Sequence, residues 1–304
     1  MAKAQRAPLI LFRAPYFSAD PMRFVAGHEQ QSCFTYDQNR LSESDIVIFH
    51  VPDLRWAKIG ETPKYPGQLW VGWSQESKIN YPELADPSFL QAYDLLMTYE
   101  RSADIWAPYL PPLASWERTL QSNVPQKTAA APVVMFRSDV IDKCGRNYFA
   151  AQLMRHIAVD SYGRFLRNRR LPAPDLGQST KLQTIAAYHF CLAFENSIAP
   201  DYVTEKIYDC LLTGVVPVYL GAPNVDEFVP AGSYISANAH GGPRGLAAYL
   251  KHLLERPDEY AKYLSWRNKP LPSGMMSMLE AVVAPPLIRL LEWARARNGS
   301  PSQR

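Results

Sequence analysis

The chain has 304 residues, 47% of them hydrophobic and 20% charged, with 32 Lys and Arg against 29 Asp and Glu. A sequence this long and apolar buries a full core and, at about 150 residues per domain, is expected to form two domains, which excludes disordered, collagen-like and disulfide-stapled classes. The formal net charge of +3 makes no case for a nucleic-acid partner, and no apolar run approaches the roughly 18 residues of a membrane span, since the richest, Ala281 to Leu291, is broken by Pro285 and Pro286.

In chain order, the basic start is followed by only a short apolar run before Arg13, too little for a signal-peptide core of about 7–15 residues. Leu9 to Phe12, Ile46 to Val51 and Leu69 to Trp73 are short apolar runs closed by polar residues or proline, and are read as strands. The stretch from Pro108 to Pro132 holds Pro108, Pro111, Pro112, Pro125 and Pro132 and is expected to be an irregular linker, with the domains parting after Thr128. Val133 to Phe136 then starts an alternation. Cys144 to Ile157 has a helix-spaced stripe of Tyr148, Ala151, Leu153, Met154 and Ile157, and Ala158 to Asp160 is a strand. Thr180 to His189 is a helix, Phe190 to Phe194 a strand, Tyr202 to Thr213 a helix and Val215 to Leu220 a strand. Alternating β and α segments imply a parallel sheet covered on both faces. Helices over Gly245 to Glu255, around Tyr260 to Trp266, and over Met276 to Arg297 complete the reading. The expected organisation is an N-terminal domain 1–128, a C-terminal domain 129–275 and a last helix within 276–304. Cys33, Cys144, Cys191 and Cys210 are scattered without a CxxC and are read as reduced thiols. One N-x-S/T sequon outside a proline context, at Asn298, falls in a polar tail.

The passage with most chemistry runs from Cys191 to Pro223. A buried strand ends at Phe194, a polar turn Glu195-Asn196-Ser197 follows, and Asp201 is placed to cap a helix starting at Tyr202. Gly214 falls where a helix C′ residue belongs, and Pro217 forbids continuation. A helix start beside a strand carboxyl end presents free N–H groups suited to an anion such as phosphate, and Lys206 adds a mobile charge. Helical spacing puts Tyr202, Glu205, Lys206 and Asp209 on one face. A carboxylate beside a phosphate-binding lysine fits ribose hydroxyls, so the pattern describes a nucleoside diphosphate site; the alternative is a capped surface helix with Glu205 and Lys206 in water. DxD, P-loop, GxGxxG and GxSxG patterns and metal-type His spacings do not occur.

The runs FENS, DYVTEK and GVVPVYLGAP in this passage resemble the signature of the α-1,3/4-fucosyltransferase family (glycosyltransferase family 10), which transfers L-fucose from GDP-fucose. The resemblance extends to Cys144-Gly-Arg-Asn-Tyr, to Val159 through Gly163, to Pro257 through Trp266 and, more weakly, to Trp70 through Ser77 and Ser102 through Tyr109. It implies an α/β fold of GT-B architecture. That means two Rossmann-like domains facing across a cleft, acceptor-binding first and GDP-fucose-binding second, with the last helix crossing back to the first. Carried over position by position, Arg146 and Lys206 would neutralise the donor pyrophosphate, Glu205 would hold the ribose, Tyr202 would lie near the phosphates, and Asn196 in the donor pocket. Glu195, Tyr162 and Gly163 would line that pocket. Glu76, after the Leu69 strand, aligns with the family's catalytic glutamate, with Glu61, Glu83 and Glu100 as alternatives. Here Lys78 stands where the family usually has proline.

The family inverts configuration, so one in-line displacement is implied, with an acceptor hydroxyl losing its proton to a carboxylate. The expected product is an α-1,3-fucoside on O3 of a GlcNAc-containing glycan. The alternatives are another nucleotide sugar on the same fold or a non-catalytic glycan- or nucleotide-binding relative. No metal is required once Arg146 and Lys206 meet the charge; a divalent ion is at most stimulatory. Trp56, Trp70, Trp73 and Trp106 are candidates for stacking on acceptor sugars, against the commoner fate of core packing. Expected partners are GDP-fucose and a glycan acceptor, with no nucleic acid. Membrane contact would come only through a lipid-linked acceptor; the expected setting is a soluble bacterial, cytoplasmic enzyme, with a trimmed Golgi lumenal domain as the alternative. Residues 1–128 carry a net −2 and residues 129–304 a net +5, the polarity suited to a carboxylate base in one half and a pyrophosphate in the other.

Overall fold

The computed structural model describes residues 6–54, 59–138 and 141–299. The chain divides into two compact units. One comprises the chain up to Pro108 together with the stretch from Ala284; the other is Tyr109–Val283.

In the first unit, strands β1 (Ile10–Phe12), β2 (Phe34–Thr35), β3 (Ile46–His50), β4 (Leu69–Ser74), β5 (Leu95–Thr98) and β6 (Ile105–Trp106) form one sheet in the order 2-1-3-4-5-6. Every pair is parallel. Of the four interior strands, β5 was not foreseen, and the other three are the runs foreseen at Leu9, Ile46 and Leu69. They are buried on both faces, which is why they read as unbroken apolar runs. The missed β2 and β6 are two residues long, too short to carry a period. A single helical turn, α1 (Pro87–Leu90), capped by Asp86, lies between β4 and β5.

The second unit opens with α2 (Leu113–Gln121), inside the stretch expected to be irregular. The prolines at 108, 111, 112 and 125 flank this helix without entering it, so they mark its limits. The units therefore part between Pro108 and Tyr109, not after Thr128. Then come β7 (Val133–Met135), α3 (Arg146–Leu153), β8 (Val159–Ser161), α4 (Gln178–Ala186), β9 (Phe190–Phe194), α5 (Glu205–Leu212), β10 (Val216–Leu220) and β11 (Ile235–Ser236). The sheet order is 11-10-9-7-8, again all parallel. Pro217 is accommodated inside β10 because β11 pairs only with Val218 and Tyr219, so no ladder reaches it from that side. Gly214, at φ 68°, closes α5: its N–H donates to Leu211 O and that of Val215 to Cys210 O, the Schellman pattern expected of a C′ glycine. On α3 the stripe is partly wrong, since Tyr148 is 71% exposed while Ala150, Leu153 and Ile157 are buried.

Helices α6 (Pro243–Glu255) and α7 (Pro257–Lys262) follow. The single last helix expected over Met276 to Arg297 is two, α8 (Ser273–Ala281) and α9 (Pro286–Gly299), separated where Pro285 and Pro286 interrupt the ladder. Helix α9 belongs to the first unit. Its Leu287, Ile288, Leu290, Leu291 and Ala294 share one buried cluster with Ile10, Ile48, Val71 and Met97, and Arg289 Nη2 donates to the Trp106 carbonyl. No single helix among the described residues is long and apolar enough to cross a membrane. All four cysteines are free thiols. The sequon at Asn298 runs into Ser300, outside the described residues.

One buried polar pair stands out in the first unit. His50, 2% exposed at the end of β3, places Nδ1 2.7 Å from Asp53 Oδ2. Burial pulls its imidazole down to about 4, against the opposing pull of Asp53. An unfolded histidine takes its proton near pH 6.5, so between about 6.5 and 4 the unfolded state binds more protons and stability falls as the pH drops. His50→Asn, which keeps a donor toward Asp53, is expected to flatten that acid limb, read as melting temperature against pH.

Candidate functional site

In the second sheet the chain reverses its direction of growth between β7 and β9. The segments leaving their carboxyl ends diverge there and open the crevice where ligands of α/β sheets bind. The turn after β9 fills this place with polar groups. Glu195, Asn196 and Ser197 are all buried, and Glu195 has no exposed surface.

A carboxylate so placed needs donors and a cation, and the start of α5 supplies both. The Thr204 N–H donates to Glu195 Oε1 at 2.9 Å, and the Thr204 hydroxyl lies 2.8 Å from Oε2. Lys206 Nζ sits 3.1 Å from Glu195 Oε2, donates to Thr204 Oγ1 at 2.7 Å and reaches Glu205 Oε1 at 3.5 Å. Burial pushes the Glu195 carboxyl above its ordinary range while Lys206 pulls it back. Burial alone would lower Lys206, but Glu195 and Glu205 together hold it above the usual lysine range, charged at any physiological pH. Glu205 is raised by burial but lowered more by Lys206 and Lys181, and its side chain stays 45% exposed. A quarter of the Lys206 side chain is exposed, so a charge-balanced, partly open ammonium stands at the crevice.

This helix starts three residues later than its sequence suggested. Asp201 does not cap it. At φ 62° its N–H donates to Asn224 Oδ1 and its own Oδ1 accepts from Asn224 Nδ2, both at 2.9 Å. Thr204 is the N-cap, with its hydroxyl on Glu195 instead of on the helix. Tyr202 therefore lies outside the helical face assigned to it. It is buried, edge-on to Tyr109 with ring centroids 6.4 Å apart. Asp209, on that face, is taken by Lys181 at 2.7 Å and Gln178 at 2.9 Å.

Arg146 opens α3 as foreseen, but its surroundings differ from a bare anion-binding helix start. The N-terminal amides are filled by Asp142, whose Oδ1 accepts from Arg146 N and Oδ2 from Asn147 N, each at 3.0 Å. Burial would raise this carboxyl, and those amides more than reverse it, leaving it below its ordinary range. The Arg146 side chain, 2% exposed, donates from Nη1 to Phe194 O at 2.9 Å and from Nη2 to Ile141 O at 2.8 Å. It thus fastens the end of β9 to the loop before α3. The same loop holds Asn196, whose carbonyl accepts from Lys143 N at 2.9 Å, and Glu195, whose carbonyl accepts the Cys144 thiol at 3.2 Å. Arg146, Glu195, Asn196, Thr204 and Lys206 are one assembly.

Tyr162 and Gly163 follow β8. Tyr162 stacks on Phe136 at 5.1 Å, and its hydroxyl meets that of Tyr188, which donates to Asp160. A Cβ on Gly163 would collide with the Arg137 carbonyl, so glycine lets the β8 turn pass under the end of β7. Sequence reasoning missed Thr204, Asp142 and the buried Arg137. Thr204 lies inside the YVTEK motif and is a preferred cap type one residue before the helix, a signal outweighed by Asp201.

In the first unit Glu76 follows β4, half-buried, its N–H donating to Ser74 Oγ at 3.1 Å. The unusual Lys78 reaches Glu100 at 2.7 Å, which commits that alternative carboxylate. Glu83 sits in the 3-10 turn Pro82–Ala85, and Glu61 is exposed. Trp70 and Trp73 are core residues, Trp106 donates to Tyr99 O at 2.9 Å, and Trp56 lies outside the described residues. Among the described residues no group of three or more His, Cys, Asp or Glu is placed to hold a metal.

Two family profiles match the chain: "Fucosyltransferase, N-terminal" over residues 5–110 and "Glycosyltransferase family 10 (fucosyltransferase) C-term" over 124–292. A GDP-fucose protein O-fucosyltransferase 3 of Danio rerio is 34% identical over 285 residues, 86% of this chain and 60% of that protein. The 4-galactosyl-N-acetylglucosaminide 3-alpha-L-fucosyltransferase FUT6 of Pan troglodytes is 32% identical over 243 residues, 77% of this chain and 64% of that one. The chain thus spans less than two thirds of the curated relatives it matches. A crystal structure of an alpha1,3-fucosyltransferase with GDP-fucose superposes with a TM-score of 0.58 at 15% identity, covering 96% of this chain and 93% of that one, which shows a shared GT-B fold.

Removing the cation from beside a buried carboxylate costs about 3–5 kcal/mol. Lys206→Met is therefore expected to lower stability by about that much in urea melts, and Glu195→Gln in the same chain to restore most of it. Gly163→Ala, which forces backbone against backbone, is expected to cost about 1–3 kcal/mol or more, read as a fall in melting temperature.

Proposed function

The chain belongs to glycosyltransferase family 10, the fucosyltransferases, and we propose that it moves L-fucose from GDP-β-L-fucose to an acceptor hydroxyl with inversion. The observation that carries this reading is the Glu195–Thr204–Lys206 assembly at the β9 carboxyl end, inside the segment matched by the family profile.

The acceptor oxygen attacks the anomeric carbon as the bond to the GDP oxygen breaks, so negative charge grows on the diphosphate while a proton leaves the acceptor. In this reading Lys206 meets that charge directly, since its ammonium is the partly exposed one. Each charge-assisted hydrogen bond it makes is worth about 1.5–3 kcal/mol. Arg146, spent on two carbonyls, acts by fixing the crevice wall and through its buried positive field. Glu205 is turned toward solvent for a ribose hydroxyl, and Asn196 and Tyr202 shape the pocket. Glu76 is the proposed base, a role worth about 10²–10⁴-fold. No step in this scheme asks for a metal.

For the acceptor, O3 of a GlcNAc unit remains the reading taken from the sequence motifs. A second reading, a hydroxyl on a protein, is favoured by the name of the Danio rerio relative. Incubation with GDP-fucose and N-acetyllactosamine, chitobiose or folded protein acceptors, followed by mass spectrometry, separates the two. No transfer to any of them and no GDP binding would sink both. Glu76→Gln is expected to lose about 10²-fold or more in kcat while keeping GDP affinity; a fully active variant would move the base elsewhere. The Glu195→Gln/Lys206→Met chain is expected to be stable yet weak for GDP, checked by calorimetric titration.

A further inference from the structure

The first sheet also reverses its growth, between β1 and β3, and the residues at that place are built unlike ordinary loop residues. Tyr16 and Ala19 exchange two backbone hydrogen bonds, 2.9 and 3.0 Å, around a two-residue turn whose middle residues, Phe17 and Ser18, have φ 47° and 66°. Asn-Gly is the usual choice for such a turn, and a bulky ring at positive φ is an outlier that persists only when its surroundings impose it. The imposing group is Asp53. Its Oδ2 accepts the Phe17 N–H at 2.5 Å and faces His50 Nδ1 at 2.7 Å. Asp53 and His50 are 4% and 2% exposed, and His50 Nε2 has no hydrogen-bond partner among the described residues. The imidazole lies under Tyr16 and Phe17, with centroids 4.2 and 4.8 Å away. The product of this arrangement is an aromatic ring held outward: Phe17 is 47% exposed, and both it and Phe24, at 36%, lie edge-on to Tyr16, with the Arg23 guanidinium over Phe24. Tyr16 also joins the turn to the candidate base loop, its hydroxyl lying 3.3 Å from Gln75 Oε1, next to Glu76.

We propose that His50 and Asp53 are a positioning pair that holds the Phe17 turn in its strained shape so that the Phe17 ring meets the apolar face of a sugar ring of the acceptor. This rests on the fucosyl-transfer reading above. Neither residue touches the reacting atoms; His50 aims Asp53, and Asp53 clamps the Phe17 amide. A sugar ring suits the site because pyranose C–H faces stack on exposed aromatic rings, and the Arg23 guanidinium over Tyr16 and Phe24 brings hydrogen-bond donors to the same patch.

The test measures acceptor KM, kcat and GDP affinity in wild type, Asp53→Ala, His50→Leu, His50→Asn, Phe17→Gly and the Asp53→Ala/Phe17→Gly pair. Asp53→Ala and His50→Leu are expected to raise acceptor KM tenfold or more with GDP affinity unchanged, and His50→Asn, which still donates to Asp53, to stay within about threefold of wild type. Phe17→Gly, which folds readily because glycine suits a positive φ, should raise KM equally while raising the melting temperature. A structural aromatic would not show those opposite signs. The pair should match either single change, since both act through one ring. Unchanged KM in Phe17→Gly, additive effects in the pair, or equal losses in GDP affinity overturn the proposal while leaving fucosyl transfer standing; a wild type that transfers to no acceptor overturns both.

Discussion

A carboxylate with no exposed surface is the constraint on which the second unit turns. Glu195 stays native-like only if the start of α5 brings it the Thr204 amide, the Thr204 hydroxyl and the Lys206 ammonium at once. Strand end and helix start are thereby locked in register, and the helix begins at Glu205 because Thr204 is spoken for. Packing enforces the same geometry from the other side, where a Cβ on Gly221 would lie 2.6 Å from Glu195 Cγ. The single ammonium of Lys206 is shared between two carboxylates, so its charge is largely balanced within the fold.

Most interior strands and most helices could be read from the sequence, for a physical reason. Parallel strands covered on both faces must be apolar throughout, and FCLAF and VPVYL say so directly. The residues that the family signature singled out lie far apart in sequence, and the structure gathers Arg146, Glu195, Asn196 and Lys206 around the β7 and β9 ends. What escaped was whatever depends on a partner distant in sequence. Asp201 has the composition of a cap, but Asn224 claims it. Asp142 fills the α3 amides from four residues back, a distance at which no capping rule looks. The two-residue strands β2 and β6 exist only because β1 and β5 offer ladders to them.

The two parallel sheets follow one plan with different contents. Each reverses between its first and third strands, and each places its unusual chemistry there. In the second unit that is a balanced set of charges; in the first it is rings around one buried histidine–aspartate pair. Both assemblies hold strain or desolvated charge, which stability alone would avoid.

The membership of α9 in the first unit bears on how the chain is made. Five of its apolar residues complete a core that begins at Ile10, and Leu287 follows Ile10 by 277 residues (287 − 10). The second unit is contiguous from Tyr109 to Val283, so all of its contacts are made within one unbroken stretch. The first unit needs a closure across that whole stretch before α9 covers β1, β3 and β4, and contacts of such sequence separation form slowly. Its core is therefore the non-local one, complete only when the far end of the chain has joined it.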